Sequence, residues 1–149
     1  MTLKSGFKTA EDSPGFMLWK ASNRLQRLHA RCLSDLDVTP TQFSLMTCLV
    51  YLYREGLVTS SRIVGHTGMD KMLVSDLVRA LEKQRLLRRS PNPEDGRSWL
   101  IEPTSRGTEL TNSAVLQVEA LDAEYFGAVR NLRSFHADLT ALVNAEIVS

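Results

Sequence analysis

The helical rhythm of this chain breaks at one place. Two short extended pieces, residues 86–90 and 98–102, flank Pro91-Asn92-Pro93-Glu94-Asp95-Gly96-Arg97, a run of turn formers. Asp-Gly between such pieces signals a hairpin, and the prolines are expected in the loop, where no ladder donor is needed. Elsewhere apolar residues recur at helical spacing. One hairpin in an otherwise helical chain of 149 residues leaves few architectures. The expected one is a mainly α domain with a small β element, long enough to bury a core without disulfides or metal.

The helices are bounded by local signals. Ser13-Pro14 reads as an N-cap followed by proline at the first helical position, after a loose arm over residues 1–12. Leu18, Ala21, Leu25, Leu28 and Cys32 then form a narrow seam ending near Asp35, beside a basic stripe of Lys20, Arg24, Arg27 and Arg31. Thr39-Pro40-Thr41-Gln42 is a capping box, and Phe43, Met46, Leu49, Val50 and Leu52 carry a second helix to about Arg54. Leu57-Val58 is expected to form a very short strand. A third helix opens at Thr59-Ser60-Ser61 and stops near His66, and Gly68 supplies the turn. Asp70 caps a fourth helix over residues 70–86, in which Val74, Leu77, Val78 and Leu81 face the core. Thr104 caps a long fifth helix with its seam at Leu110, Ala114, Val118, Leu121 and Tyr125. Leu132, Phe135, Leu139 and Leu142 predict a sixth helix running to the C-terminus.

Composition narrows the function. At 43% apolar and 23% charged the chain is too hydrophobic for disorder. Its longest uncharged run, from Val38 up to Arg54, contains Thr39, Gln42 and Ser44, so it reads as an amphipathic helix and not a membrane span. The N-terminus carries no apolar stretch of signal-peptide type, and a cytoplasmic location is expected. Cys32 and Cys48 are too few for a disulfide scaffold, and His29, His66 and His136 lack metal-ligand spacing, so neither metal nor cofactor is expected. Either cysteine could sense oxidants, although a buried cysteine is ordinarily an inert small hydrophobe. No nucleophile–base pair, phosphate loop or paired carboxylates point to an enzyme. The net charge of +1 divides into +3 over residues 1–69, +2 over 70–106 and −4 over 107–149. On charge alone this is an ordinary solvated surface; a basic body with an acidic tail also suits nucleic acid.

Short helix, glycine turn and second helix make a helix-turn-helix unit, and a hairpin directly after it makes a winged one. The outer face of the fourth helix carries Lys71, Met72, Ser75 and Arg79. Lys71 and Arg79 can reach phosphates or guanine acceptors, Ser75 can donate or accept, and Met72 can pack on a thymine methyl. Arg97, beside the tight turn, suits a narrow minor groove, and Asp95 can aim it by bonding its guanidinium or the loop amides. Taken alone, Asp95 and Arg97 read as a plain surface ion pair, worth little; placed directly after a helix-turn-helix, they read as a wing tip.

The stretch Met69-Asp70-Lys71-Met72-Leu73-Val74-Ser75, with Leu81-Glu82-Lys83, Leu86-Leu87-Arg88-Arg89, Pro93-Glu94-Asp95-Gly96-Arg97 and Pro103-Thr104-Ser105-Arg106-Gly107, resembles the MarR family of bacterial winged helix-turn-helix regulators. The resemblance covers roughly residues 16–145. It implies a homodimer joined through helices at 14–35 and 104–149, with a DNA-binding module at 38–103. The two modules would bind double-stranded DNA at a near-palindromic operator. It also implies a repressor relieved by a small-molecule effector of unknown identity, bound between the dimer helices and the winged module, with Trp19 as a candidate wall. Ser75 and its neighbours would contact bases or phosphates, Arg97 would enter the minor groove, and Asp95 would steady it.

Four positions depart from the family pattern. Asp76 stands where a basic residue is common, Arg85 replaces a glycine after the fourth helix, Pro103 replaces a leucine, and Ser98 replaces a second basic wing residue. Asp76 can accept from a cytosine amino group, or can weaken phosphate attraction. Asp76 and the modest +2 of residues 70–106 also suit a different class, a winged-helix module for protein–protein contact with no DNA target.

Overall fold

The computed structural model describes residues 3–146. Helices α1 (Pro14–Cys32), α2 (Pro40–Tyr53), α3 (Ser60–Thr67) and α4 (Lys71–Lys83) lead into strands β1 (Leu87–Pro91) and β2 (Trp99–Pro103). Helices α5 (Ser105–Phe126) and α6 (Leu132–Val143) follow. The mainly α architecture with one two-stranded antiparallel wing is the winged helix-turn-helix fold read from the sequence.

Local chemistry sets the boundaries. The Ser13 hydroxyl accepts from the Phe16 amide at 3.4 Å, and Pro14 opens α1 where no amide donor is required. At α2 the capping box closes in both directions: Thr39 Oγ1 accepts from Gln42 N at 3.1 Å, and Gln42 Oε1 accepts from Thr39 N at 3.0 Å. Helix α1 stops at Cys32, short of Asp35, because a 3₁₀ turn over Ser34–Leu36 redirects the chain. The expected loose arm is tied at its end. A 3₁₀ turn spans Ala10–Asp12, the Asp12 carboxylate accepts from Thr9 N at 2.9 Å, and Lys20 donates to Glu11 at 3.3 Å. Helix α6 ends at Val143, and the last three residues of the expected run lie outside the described residues.

The core lies between α2, α3, α4 and the base of the wing. Leu45, Leu49, Ile63, Val74, Leu81, Leu87 and Ile101 are fully or almost fully buried, with Leu33, Ala114 and Val118 closing it from the flanking helices. The expected strand at Leu57-Val58 shrinks to one bridge, Thr59 to Leu100, with Ile101 N donating to Val58 O at 2.8 Å. Gly56, at φ 139°, turns the chain just before this bridge.

The joint between wing and α5 explains the Thr-X-X-Gly sequence. Thr104 Oγ1 accepts from Gly107 N at 3.0 Å and donates to Arg85 O at 2.8 Å, while Thr104 N donates to Leu86 O at 3.1 Å. A Cβ at Gly107 would stand 1.8 Å from Leu86 O, so the first turn of α5 meets the exit of α4 backbone to backbone. That exit is a Schellman cap. Leu86 N donates to Leu81 O at 3.0 Å and Arg85 N to Glu82 O at 2.9 Å, which puts Arg85 in the left-handed region at φ 61°.

Candidate nucleic-acid interface

Helix α4 is anchored from below and capped from the front. Val74, Val78 and Leu81 are buried and Leu77 is half-buried. Asp70 Oδ1 accepts from Met72 N at 2.8 Å and from Leu73 N at 3.2 Å, occupying two of the donors a helix start leaves unpaired. Gly68, at φ 68°, ends α3 and lets the chain reverse into α4. The opposite face is left outward: Lys71, Ser75, Asp76 and Arg79 are exposed, and Met72 keeps 72% of its surface.

The outer face is less cationic than its residue types suggest. Arg79 pairs with Asp76 one turn back, and both side chains are 61% exposed. Of the two cations expected on this face, Lys71 is the one without an ion pair among the described residues. Spacing alone allowed the Asp76–Arg79 pair, since side chains three apart on a helix are neighbours.

The wing is built differently from a tight two-residue hairpin. Pro91 pairs with Trp99 at the end of the ladder, leaving residues 92–98 as a seven-residue tip. Each strand is shifted by one residue from expectation, so Pro91 closes β1 instead of lying in the loop, Pro93 stays in the tip, and Pro103 closes β2. Gly96 does not take a positive φ, so Asp95-Gly96 is not the primed turn its sequence signals. The tip is held by its own polar atoms. Asn92 Nδ2 donates to Ser98 Oγ at 2.8 Å, Glu94 N to Asn92 Oδ1 at 3.0 Å, and Ser98 N to Asp95 O at 3.0 Å. The Asp95 carboxylate accepts from the Arg97 backbone N–H at 3.0 Å and makes no ion pair with the guanidinium. Asp95 therefore fixes the backbone that carries Arg97. Arg97 itself is exposed and without an ion pair among the described residues.

Two further arginines hold the wing, Arg89 to α4 and Arg88 across its own strands. Glu82 of α4 accepts from Arg89 Nε at 2.9 Å, Arg89 Nη2 at 2.5 Å and Arg89 N at 3.2 Å. The Arg89 hydrogen bond holds the Glu82 carboxyl below its ordinary range. Arg89 also lies 5.6 Å from the Trp99 ring centroid, a cation–π contact that crosses the two strands. Arg88 binds Glu102 at 2.6 Å on the other strand. The spacing of Glu82, on α4, and Arg89, on β1, follows no helical or hairpin rule, so residue order carries no local sign of this clamp.

The remaining candidates sort by burial. Cys48 is buried, and burial pushes its thiol up, away from the thiolate that oxidant sensing requires. Cys32 is half-buried at the end of α1. His29 binds Asp122 at 2.7 Å, tying α1 to α5, and Tyr125 OH donates to Ala21 O at 3.1 Å between the same helices. Trp19 stacks on Phe16 with centroids 5.9 Å apart and stays 63% exposed. A cleft of about 620 Å³ lies between α2 and α5, lined by Val50, Tyr53, Arg54, Pro103, Thr108 and Glu109 among others; Trp19 is not part of its wall. No helix among the described residues is long and apolar enough to cross a membrane.

Residues 38–99 match the MarR family. The chain is 35% identical over 147 residues to an uncharacterized HTH-type transcriptional regulator, YdcH of Bacillus subtilis (strain 168), covering 98% of this chain and 100% of the relative. Its fold is similar to that of Bordetella bronchiseptica BpsR, whose DNA binding is regulated by 6-hydroxynicotinic acid. That match has a TM-score of 0.84 at 22% identity over 95% of this chain and 100% of the other. It is also similar to a cysteine-to-serine mutant of MarR from E. coli complexed with operator DNA. There the TM-score is 0.77 at 20% identity, over 92% of this chain and 99% of the other.

Proposed function

This chain belongs to the MarR family of transcriptional regulators, and on that premise we propose that it is a ligand-responsive repressor working as a homodimer on a near-palindromic operator. The observation that carries the reading is the pairing of two outward elements on one rigid module. Helix α4 shows Lys71, Met72 and Ser75 to solvent while its other face is locked into the core. Beside it the wing carries Arg97, exposed on a tip stiffened by Asp95 and Asn92. A helix of this kind fits the major groove, and a guanidinium on a stiff tip fits the narrow, negative minor groove next to it.

The terminal helices support the dimer, joined through residues 14–35 and 104–149 with residues 38–103 as the reading module. Neither α1 nor α6 buries a single residue within one copy. Met17, Leu18 and Trp19 on α1, and Leu132, Leu142 and Val143 on α6, are exposed apolar side chains. A second copy covering these seams would place two α4 helices at a fixed separation. The cleft between α2 and α5 sits where the reading module meets the terminal helices. A small molecule lodged there would change that separation and so the affinity for DNA.

Arg97→Ala tests the reading. DNA affinity is expected to fall at least tenfold, of the order of one lost specific contact, with melting temperature unchanged because the guanidinium supports nothing in the fold. Wild-type affinity is expected to fall steeply with salt as neutralised phosphates release counterions. Unchanged affinity in Arg97→Ala would remove the wing from the interface. A partner bound with little salt dependence would instead identify a protein–protein module.

A further inference from the structure

Asp76 places a carboxylate in the middle of the face that, on the proposed reading, meets a polyanion. The fold makes no use of it. Asp70, not Asp76, caps α4, and the Asp76 side chain accepts from Arg79 and from nothing else among the described residues. An ion pair with both partners 61% exposed contributes little to stability. For phosphate binding the pair is unfavourable, since Asp76 offsets the charge that Arg79 brings. For base reading the pair is well matched. Arginine donates two bonds to guanine O6 and N7, and a carboxylate accepts from the cytosine amino group. The two side chains lie on one face, three residues apart, in a helix whose other face is fixed.

We propose that Asp76 is a specificity-determining residue: it holds Arg79 off the phosphates, and together the two read a G·C pair, Arg79 on the guanine and Asp76 on the cytosine amino group. On a duplex lacking that pair, Arg79 stays neutralised and Asp76 repels the backbone, so wrong sequences are penalised as well as right ones favoured. This inference rests on α4 being the reading helix.

The test compares wild type with Asp76→Ala, Asp76→Asn, Arg79→Ala and the Asp76→Ala/Arg79→Ala double variant. Each is used to select bound duplexes from a random pool, and each is titrated across salt with the wild-type selected duplex and with a random-sequence duplex. Asp76→Ala is expected to lower the ratio of selected to random affinity about tenfold, the discrimination carried by one base contact. Its salt dependence should steepen by about one released counterion per subunit as Arg79 reaches a phosphate. Asp76→Asn should move the selected base from cytosine toward adenine, which a carboxamide reads. In the Arg79→Ala background, Asp76→Ala should not steepen the salt dependence, because that effect runs through Arg79. An unchanged affinity ratio, or the same selected sequence from every variant, overturns the inference. If Lys71→Ala and Arg97→Ala weaken binding while the Asp76 variants are silent, this inference falls alone. If all of them are silent, the reading of α4 falls with it.

Discussion

The winged module and the terminal helices follow opposite rules. The buried apolar residues lie within residues 38–103, apart from Leu33, Ala114 and Val118. There the helices close over one another around one core. Helix α1, of 19 residues, and α6, of 12, bury no residue fully in one copy; Leu25, Leu28 and Cys32 of α1 are only half-buried. A hydrophobic core alone accounts for the first region. The second is unfinished without something to cover it, since apolar stripes on helices are stabilised by packing more than by propensity. On the proposed reading, DNA contact and assembly are divided between two parts of the chain, and α5 joins them.

That division can be broken at the joint. Gly107→Ala drives a methyl group into the Leu86 carbonyl, and overpacking of this kind costs about 3 kcal/mol. It should appear as a loss of the cooperative unfolding transition at moderate temperature, or as failure to accumulate folded protein. An unaltered melting temperature would show that the joint is loose. The terminal region is addressed by Leu18→Glu with Leu142→Glu, both at exposed positions. Sedimentation should then report a monomer whose circular dichroism is still helical. DNA affinity should fall about a hundredfold, because a tethered second reading head no longer contributes. Retention of the dimer would place its interface elsewhere.

Smaller changes sharpen the picture of the module itself. Arg85 occupies a left-handed position, which costs a residue with a Cβ about 1–2 kcal/mol. Arg85→Gly relieves that strain and gives some of it back in unfolded-state entropy. The net expectation is a gain of about 1 kcal/mol in urea denaturation; a loss would mean that the arginine side chain supports the fold. The smallest effect belongs to the wing clamp. Arg89 lowers the Glu82 carboxyl in the folded state, so its contribution is present above the unfolded carboxylate range and fades as pH falls through the depressed folded value. With Glu82 partly exposed, that contribution is below about 1 kcal/mol. Glu82→Gln should lower the melting temperature slightly at neutral pH, with the difference from wild type vanishing in acid.

What could be read from residue order is what local rules decide. Ser13, Thr39, Asp70 and Thr104 start their helices as caps do, and Val74, Val78 and Leu81 lie on the face their spacing assigns. The misses are contacts between elements, or choices between equally allowed local forms. Asp95-Gly96 satisfies the sequence rule for a tight turn, yet the Asn92–Ser98 hydrogen bonds stabilise a longer tip instead. Glu82 with Arg89 and His29 with Asp122 meet only because elements pack, and no periodicity links such positions. The Asp76–Arg79 pair was open to the i,i+3 rule and shows that a count of cations on α4 overstates its free charge. Arg97 lies on the surface element where the sequence put it, while Asp95 proved to hold its backbone and not its guanidinium.

The most direct test of two joined reading heads is to recover duplexes bound by the wild-type protein from a random pool and map the sequence they share. Two inverted half-sites centred about ten base pairs apart, one helical turn, are expected from a dimer that presents both α4 helices to one face of the duplex. A single asymmetric site, or no enrichment over the starting pool, would contradict it.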